Sequence, residues 1–141
     1  MNECRDTLIH NQEVIDMSAL EVGNKLVALC REGKNLEAVA TLYSDDVVSV
    51  EAVDGGGFPR TMNGKEAVVG KGKWWDENHE IHSAEVEGPF AHGDDRFAVI
   101  FRYDVTSKPM NNQRMQLNEV GVFTVADGKI TREEFYYTMG G

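Results

Sequence analysis

Residues 114–138, RMQLNEVGVFTVADGKITREEFYYT, hold the reading on which the fold turns. Two runs rich in β-branched and aromatic residues flank Asp127-Gly128, a dipeptide that tolerates positive φ and so closes a tight hairpin between antiparallel strands. Strands are predicted over about Arg114–Val125 and Lys129–Thr138. Further back, Phe97, Val99, Phe101 and Tyr103 alternate with Arg96, Ala98, Ile100 and Arg102, which predicts another long strand from Arg96 to Thr106. A shorter one, Ser83–Glu87, is predicted to break at Gly88-Pro89. Neither face of the Arg96–Thr106 run is wholly polar, so the sheet is expected to be covered by helices on one side and by a second copy, in a homodimer, on the other.

Upstream, the apolar period changes from two to 3.6. Leu20, Leu26, Val27 and Cys30 predict a helix that Gly33 stops in a left-handed cap. Leu36, Val39, Ala40 and Tyr43 predict a second helix with Asn35 as its N-cap, ending at Asp45-Asp46. The β-branched run Val47–Val53 predicts a strand, which gives way to the loop Asp54-Gly55-Gly56-Gly57-Phe58-Pro59. Asn63 and Glu66 have the spacing of a capping box, opening a third helix through about His79 with Trp74 and Trp75 in its last turns. Helices followed by a meander of strands put helices against one face of an antiparallel sheet, an α+β arrangement. The expectation is a curved antiparallel sheet wrapped around the third helix and enclosing a pocket, with residues 1–16 as a tail or extra helical turn and 17–141 as one domain.

The chain has 141 residues, enough for one ordinary core. Its 24 acidic residues against 14 basic ones give a net charge of -10, the wrong sign for a nucleic-acid partner. No apolar run approaches the ~20 residues a membrane helix needs, and the acidic start does not resemble a signal peptide. Cys4 and Cys30 lie far apart without ligand-like spacing, so the expected location is the cytoplasm. Nucleophile-elbow, phosphate-loop and dinucleotide motifs are missing, and no cofactor is expected. His79 and His82, three apart, are read as one pocket histidine and one exposed histidine rather than as metal ligands.

Acids on apolar strand faces are the sharper signal. Glu51 interrupts the run Val47–Val53, and Glu119 shares a strand face with Leu117, Phe123 and Val125. An unpaired buried carboxylate costs several kcal/mol when charged, so such positions point to a site.

The segments LYSDDVVSVEAVDGGGFPRTMNGKEAV and EVGVFTVADGKITREEFYY, in this element order, resemble the nuclear transport factor 2-like superfamily, in its SnoaL-like polyketide cyclase branch, over about residues 18 to 138. The resemblance implies an α+β cone with a deep pocket for a small molecule and a sheet used for dimerisation. Glu51 matches the position of the general base in the related ketosteroid isomerases, and Glu119 matches their second acid, which stays protonated to donate to an oxyanion. Their helix-one tyrosine is replaced here by Leu26. Arg102-Tyr103-Asp104 is similar to the Arg-x-Asp of limonene epoxide hydrolases, which adds Arg102 and Asp104 to the catalytic candidates. That second comparison turns Trp75, His79, Leu117, Glu133 and Tyr137 toward the cavity as substrate-binding residues, whereas simple alternation from Ile130 turns Glu134 and Tyr136 inward instead. Implied for the site is proton transfer next to a carbonyl, with Glu51 as base and neutral Glu119, His79 or Arg102 stabilising the oxyanion. The alternative is a ligand-binding or dimerisation module without turnover.

Overall fold

A computed structural model describes residues 18–54 and 57–138; the tail or helical turn expected over residues 1–16 lies outside them. Helix α1 (Ala19–Arg31) starts at Ser18, whose hydroxyl accepts from the Glu21 N–H at 3.1 Å. It stops at Gly33, where φ of 73° allows Gly33 and Lys34 to donate back to the carbonyls of Cys30 and Leu29. Helix α2 (Asn35–Leu42) follows, with Lys34 rather than Asn35 at its cap, and leads straight into β1 (Tyr43–Val50). Asp45 and Asp46 therefore lie in the strand instead of ending the helix.

The loop after β1 returns through a short strand not foreseen from sequence, β2 (Thr61–Asn63), before α3 (Lys65–Asn78). Asn63 is paired with Val48 and caps nothing; Gly64, at φ 96°, occupies the cap position and donates its N–H to the Val47 carbonyl at 2.7 Å. Three long strands follow, β3 (His79–His92), β4 (Arg96–Ser107) and β5 (Gln113–Ala126), then β6 (Lys129–Tyr136). β3 runs on through Gly88-Pro89, where a register shift between Glu87 and Phe90 absorbs the expected break. Asp127 and Gly128 close the last hairpin at φ 52° and 74°.

The sheet is open, with strand order β2-β1-β6-β5-β4-β3. It is mixed rather than wholly antiparallel: the meander β3 to β6 alternates direction and delivers β6 beside β1 running the same way. The fold is an α+β cone. Helix α1, more than α3, carries the core, lying across β3, β4 and β5 with Val22, Leu26 and Val27 buried against Phe97, Val99 and Phe123. Gly23 permits this approach, because a Cβ there would sit 2.8 Å from that of Pro89 and 3.1 Å from the Phe97 ring. α3 buries only Val68 and spans β1, β2 and β3, so its inner face overlooks the end of the sheet where the acids lie. Among the described residues no helix is long and apolar enough to cross a membrane.

Candidate active site

Strand register sorts the candidates into two faces. Phe97, Val99, Phe101 and Val105 on β4 are buried under the helices, so the alternate residues Arg102 and Asp104 point the other way. There Arg102 pairs with Glu87 and Glu85 from β3, and Arg114 holds both oxygens of Asp104 at 3.0 and 2.9 Å. Those hydrogen bonds keep the Asp104 carboxyl below its ordinary range. The structure therefore separates Arg102 and Asp104 from the acids they were grouped with. The strand they share with the core leaves every second side chain outside.

Glu119 stands opposite Phe101, and Leu117 opposite Tyr103, which places both on the helix-facing side. Phe123 pairs with Glu133 and Gly121 with Phe135, so Glu133 and Phe135 also face inward, while Glu134 and Tyr136 face out. The reason is a bulge: Val125 pairs with Ile130 but Thr124 with Arg132, so Thr131 is an extra residue that inverts the alternation begun at Ile130. On β1 the inward set is Val47 and Ser49, and Glu51 continues it just past the strand.

From α3, Lys71 reaches this face. Its ammonium donates to Ser49 Oγ at 2.7 Å and to Glu51 Oε2 at 3.1 Å, above the Phe135 ring at 5.6 Å. Tyr137 O–H donates to the other oxygen of Glu51 at 3.2 Å. Beneath them Glu133, fully buried, accepts from Ser49 O–H at 2.6 Å and from Tyr43 O–H. Burial pushes the Glu133 carboxyl up, against the pull of those two hydroxyls. Glu133 thus supports the site from below, and its oxygens are already taken, so it is not a surface for a ligand.

Glu119 is different. It is partly buried, and no hydrogen bond of the described residues satisfies it. Burial, then the charges of Glu51 and Glu133, push its carboxyl up to about 7, with Lys71 opposing. A carboxyl poised there is both a proton donor and an acceptor at neutral pH.

Aromatic side chains stand on the same side of the sheet. His79 stacks on Trp75 at 3.7 Å, donates from Nδ1 to the Trp75 carbonyl at 3.0 Å, and faces the Ser107 hydroxyl at 3.3 Å through Nε2. Burial lowers its pKa, and both of its nitrogens are already engaged, which leaves it no free donor for an oxyanion. Tyr103 lies 6.3 Å from the Trp75 ring and stacks on Phe101. His82 instead meets Thr106, on the opposite side of β4 from Ser107, so the two histidines do not converge. No set of three His, Cys, Asp or Glu side chains among the described residues is placed as metal ligands would be.

Sequence reasoning missed Lys71, Ser49 and Tyr43. The signal for Lys71 was present: it lies one helical turn before Trp75, the position already turned inward.

A family model for the SnoaL-like domain matches residues 17–137. Among solved structures, a provisionally named SnoaL-like polyketide cyclase of Mesorhizobium loti is 42% identical, over 86% of this chain and 100% of that one, with a TM-score of 0.79. A provisionally named isomerase of Bacillus subtilis is 19% identical over 85% and 86% of the two chains, at a TM-score of 0.67. A Catenulispora acidiphila protein of ketosteroid isomerase-like fold, in complex with trimethylamine, is 22% identical over 81% and 82%, at 0.61. The last two show likeness of fold alone. No curated protein matches the sequence.

Proposed function

The chain belongs to the SnoaL-like domain family, and from that premise we propose that it is an isomerase- or cyclase-type enzyme that moves a proton next to a carbonyl of a small molecule. The observation that carries the reading is the contrast between two inward, partly buried glutamates: Glu51, ion-paired to Lys71, and Glu119, without a hydrogen-bond partner among the described residues and raised to about 7. A carboxylate held by a cation and a second carboxyl poised near neutrality bring a base and an acid to one place.

In this mechanism the Glu51 carboxylate takes the proton from the carbon beside the carbonyl. Negative charge then grows on the carbonyl oxygen, where protonated Glu119 donates a hydrogen bond that strengthens as the charge develops. Trp75, Tyr103 and Leu117 offer apolar surface that holds a planar substrate and keeps water from competing. The test is exchange of α-protons for deuterium in a panel of ketones, lactones and hydroxy acids, followed by proton NMR. At least one compound is expected to lose its α-proton signal only with protein present; no acceleration across a panel that binds would leave a ligand-binding module as the function.

Assembly follows from the outer sheet face. Phe90 is 49% exposed, Val120 37% and Tyr136 55%, and they lie with Ala98, Ile100 and Val122 on the face away from the helices. Ion pairs of Arg102, Arg114 and Arg132 rim this apolar surface, the arrangement of an interface core within a charged border. A two-fold homodimer through this face is expected, and light scattering at micromolar concentration checks it: a monomer mass rejects it.

A further inference from the structure

We propose that Tyr103 is a further catalytic residue of this site, a neutral hydrogen-bond donor that holds the carbonyl oxygen of the substrate between its own hydroxyl and Glu119. The inference rests on the function proposed above.

Register puts the two side chains together. Tyr103 on β4 lies opposite Leu117 on β5, and Phe101 opposite Glu119, so Tyr103 and Glu119 are diagonal neighbours on the helix-facing side of the sheet. Diagonal pairs across antiparallel strands lie about 7–8 Å apart at the backbone, within reach of an aromatic side chain and a long one. The charge of Glu119 acts on the Tyr103 hydroxyl, yet no hydrogen bond joins the two groups. One oxygen atom set between them would engage both.

The phenol is ready to donate. Burial, then the charge of Glu119, pushes its pKa above the ordinary range, so the hydroxyl keeps its proton at neutral pH. The Asn35 side chain, at the start of α2, hydrogen-bonds to Tyr103 and opposes that rise. A partner that lowers the pKa of a phenol donates to its oxygen, which leaves the O–H of Tyr103 unspent. The other hydroxyls of this face are committed: Ser49 and Tyr43 to Glu133, Tyr137 to Glu51, and Ser107 to His79. Packing fixes where the unspent O–H lies, because the Tyr103 ring stacks on Phe101 with centroids 6.1 Å apart and has the Trp75 ring at 6.3 Å. A ligand whose carbonyl oxygen meets Tyr103 thus lays its apolar body beside Trp75 and Leu117. As charge grows on that oxygen, the hydrogen bond from a donor already in place strengthens.

The experiment compares two uncharged ligands of one shape, acetophenone and α-methylstyrene, in which a CH2 group replaces the carbonyl oxygen. Each is titrated into the full chain at pH 6, where Glu119 keeps its proton, for wild type and Tyr103→Phe. Binding is followed through the indole N–H signals of Trp74 and Trp75 in proton–nitrogen NMR spectra. Tyr103→Phe is expected to weaken acetophenone by about three- to tenfold and to leave α-methylstyrene unchanged, because only the ketone loses a hydrogen bond. The carbonyl carbon of carbon-13-labelled acetophenone reports on the same bond: its bound signal is expected to move upfield in Tyr103→Phe, as it does in an apolar solvent. A merely structural role for Tyr103 would weaken both ligands alike. Should Tyr103→Phe fail to fold, Tyr103→Leu, which also lacks a donor, carries the same expectation for the ratio of the two affinities. Equal effects on the two ligands, no effect on either, or acetophenone that does not bind wild type at millimolar concentration overturns the proposal. Both readouts are of binding, so absence of α-proton exchange would reject the proposed function while leaving the role of Tyr103 measurable.

Discussion

Glu51→Gln is expected to lower kcat on any substrate turned over by about 10²- to 10⁴-fold while leaving ligand affinity within about tenfold. The amide keeps the size of the side chain and an oxygen for Lys71 or Tyr137 to bond, so the surroundings are preserved and the proposed proton acceptor alone is lost. Glu119→Gln should be milder, because an amide donates a hydrogen bond where the neutral acid did. The wild-type pH profile should match: activity falls as pH rises through about 7, where Glu119 gives up its proton, and Glu119→Gln abolishes that alkaline limb. Steady-state kinetics of the three proteins from pH 5 to 9 decides it, and a Glu51→Gln enzyme with nearly full turnover would remove the base from Glu51.

The second large effect is on stability and needs no substrate. The Glu119 carboxyl is raised from an ordinary 4.5 to about 7. Below about 4.5 folded and unfolded chains both hold the proton and pH has no leverage. Between the two values the unfolded chain releases it while the folded one retains it, so stability falls as pH rises; above 7 the full cost of a buried charge is present. At about 1.4 kcal/mol per pH unit, and with some discount for solvent at the mouth of the site, the cost at pH 8 is about 2–3 kcal/mol. Glu119→Gln is free of it. Urea unfolding should show the variant gaining about 2 kcal/mol on wild type between pH 5 and pH 8. A difference independent of pH would mean that Glu119 is not protonated in the folded protein.

Much of the fold was legible because it is written in local chemistry. Gly33 and Asp127-Gly128 adopt positive φ where few other residues could, and the alternation of Phe97, Val99, Phe101 and Tyr103 marked β4 as a strand. The helices and the strands β4, β5 and β6 followed from such marks, whereas β3, expected over Ser83–Glu87 alone, runs from His79 to His92. What could not be read were features settled between distant segments. The parallel pairing of β1 with β6 leaves no periodic trace in either strand, and β2 is three residues held only by Val48, Ser49 and Val50. Asn63 and Glu66 satisfied the spacing of a cap, but a strand partner claimed Asn63 first. In the site, Glu51 and Glu119 announced themselves as acids in apolar runs. Arg102 and Asp104 were misgrouped because resemblance of a motif says nothing of the face it sits on. The phase of β6 depended on one extra residue, Thr131, whose bulge belongs to the pairing with β5 rather than to the sequence of β6 itself.

The neighbouring of β1 and β6 also bears on when the site comes into being. Ser49 and Tyr43 meet Glu133 across 84 and 90 residues of chain, and Tyr137 closes on Glu51 across 86. Loops of that length form late, after the hairpins and helices have paid the entropy of local closure. As the chain leaves the ribosome, β1 emerges early with β2 close behind it, but its other neighbour in the sheet arrives only once Lys129–Tyr136 has followed. The three inward glutamates are thus kept apart, each free in water, until the last strand inserts between β1 and β5 and draws them onto one surface. The proposed acid–base chemistry therefore depends on the last strand, and a chain that lacks Lys129–Tyr136 is expected to show none of it.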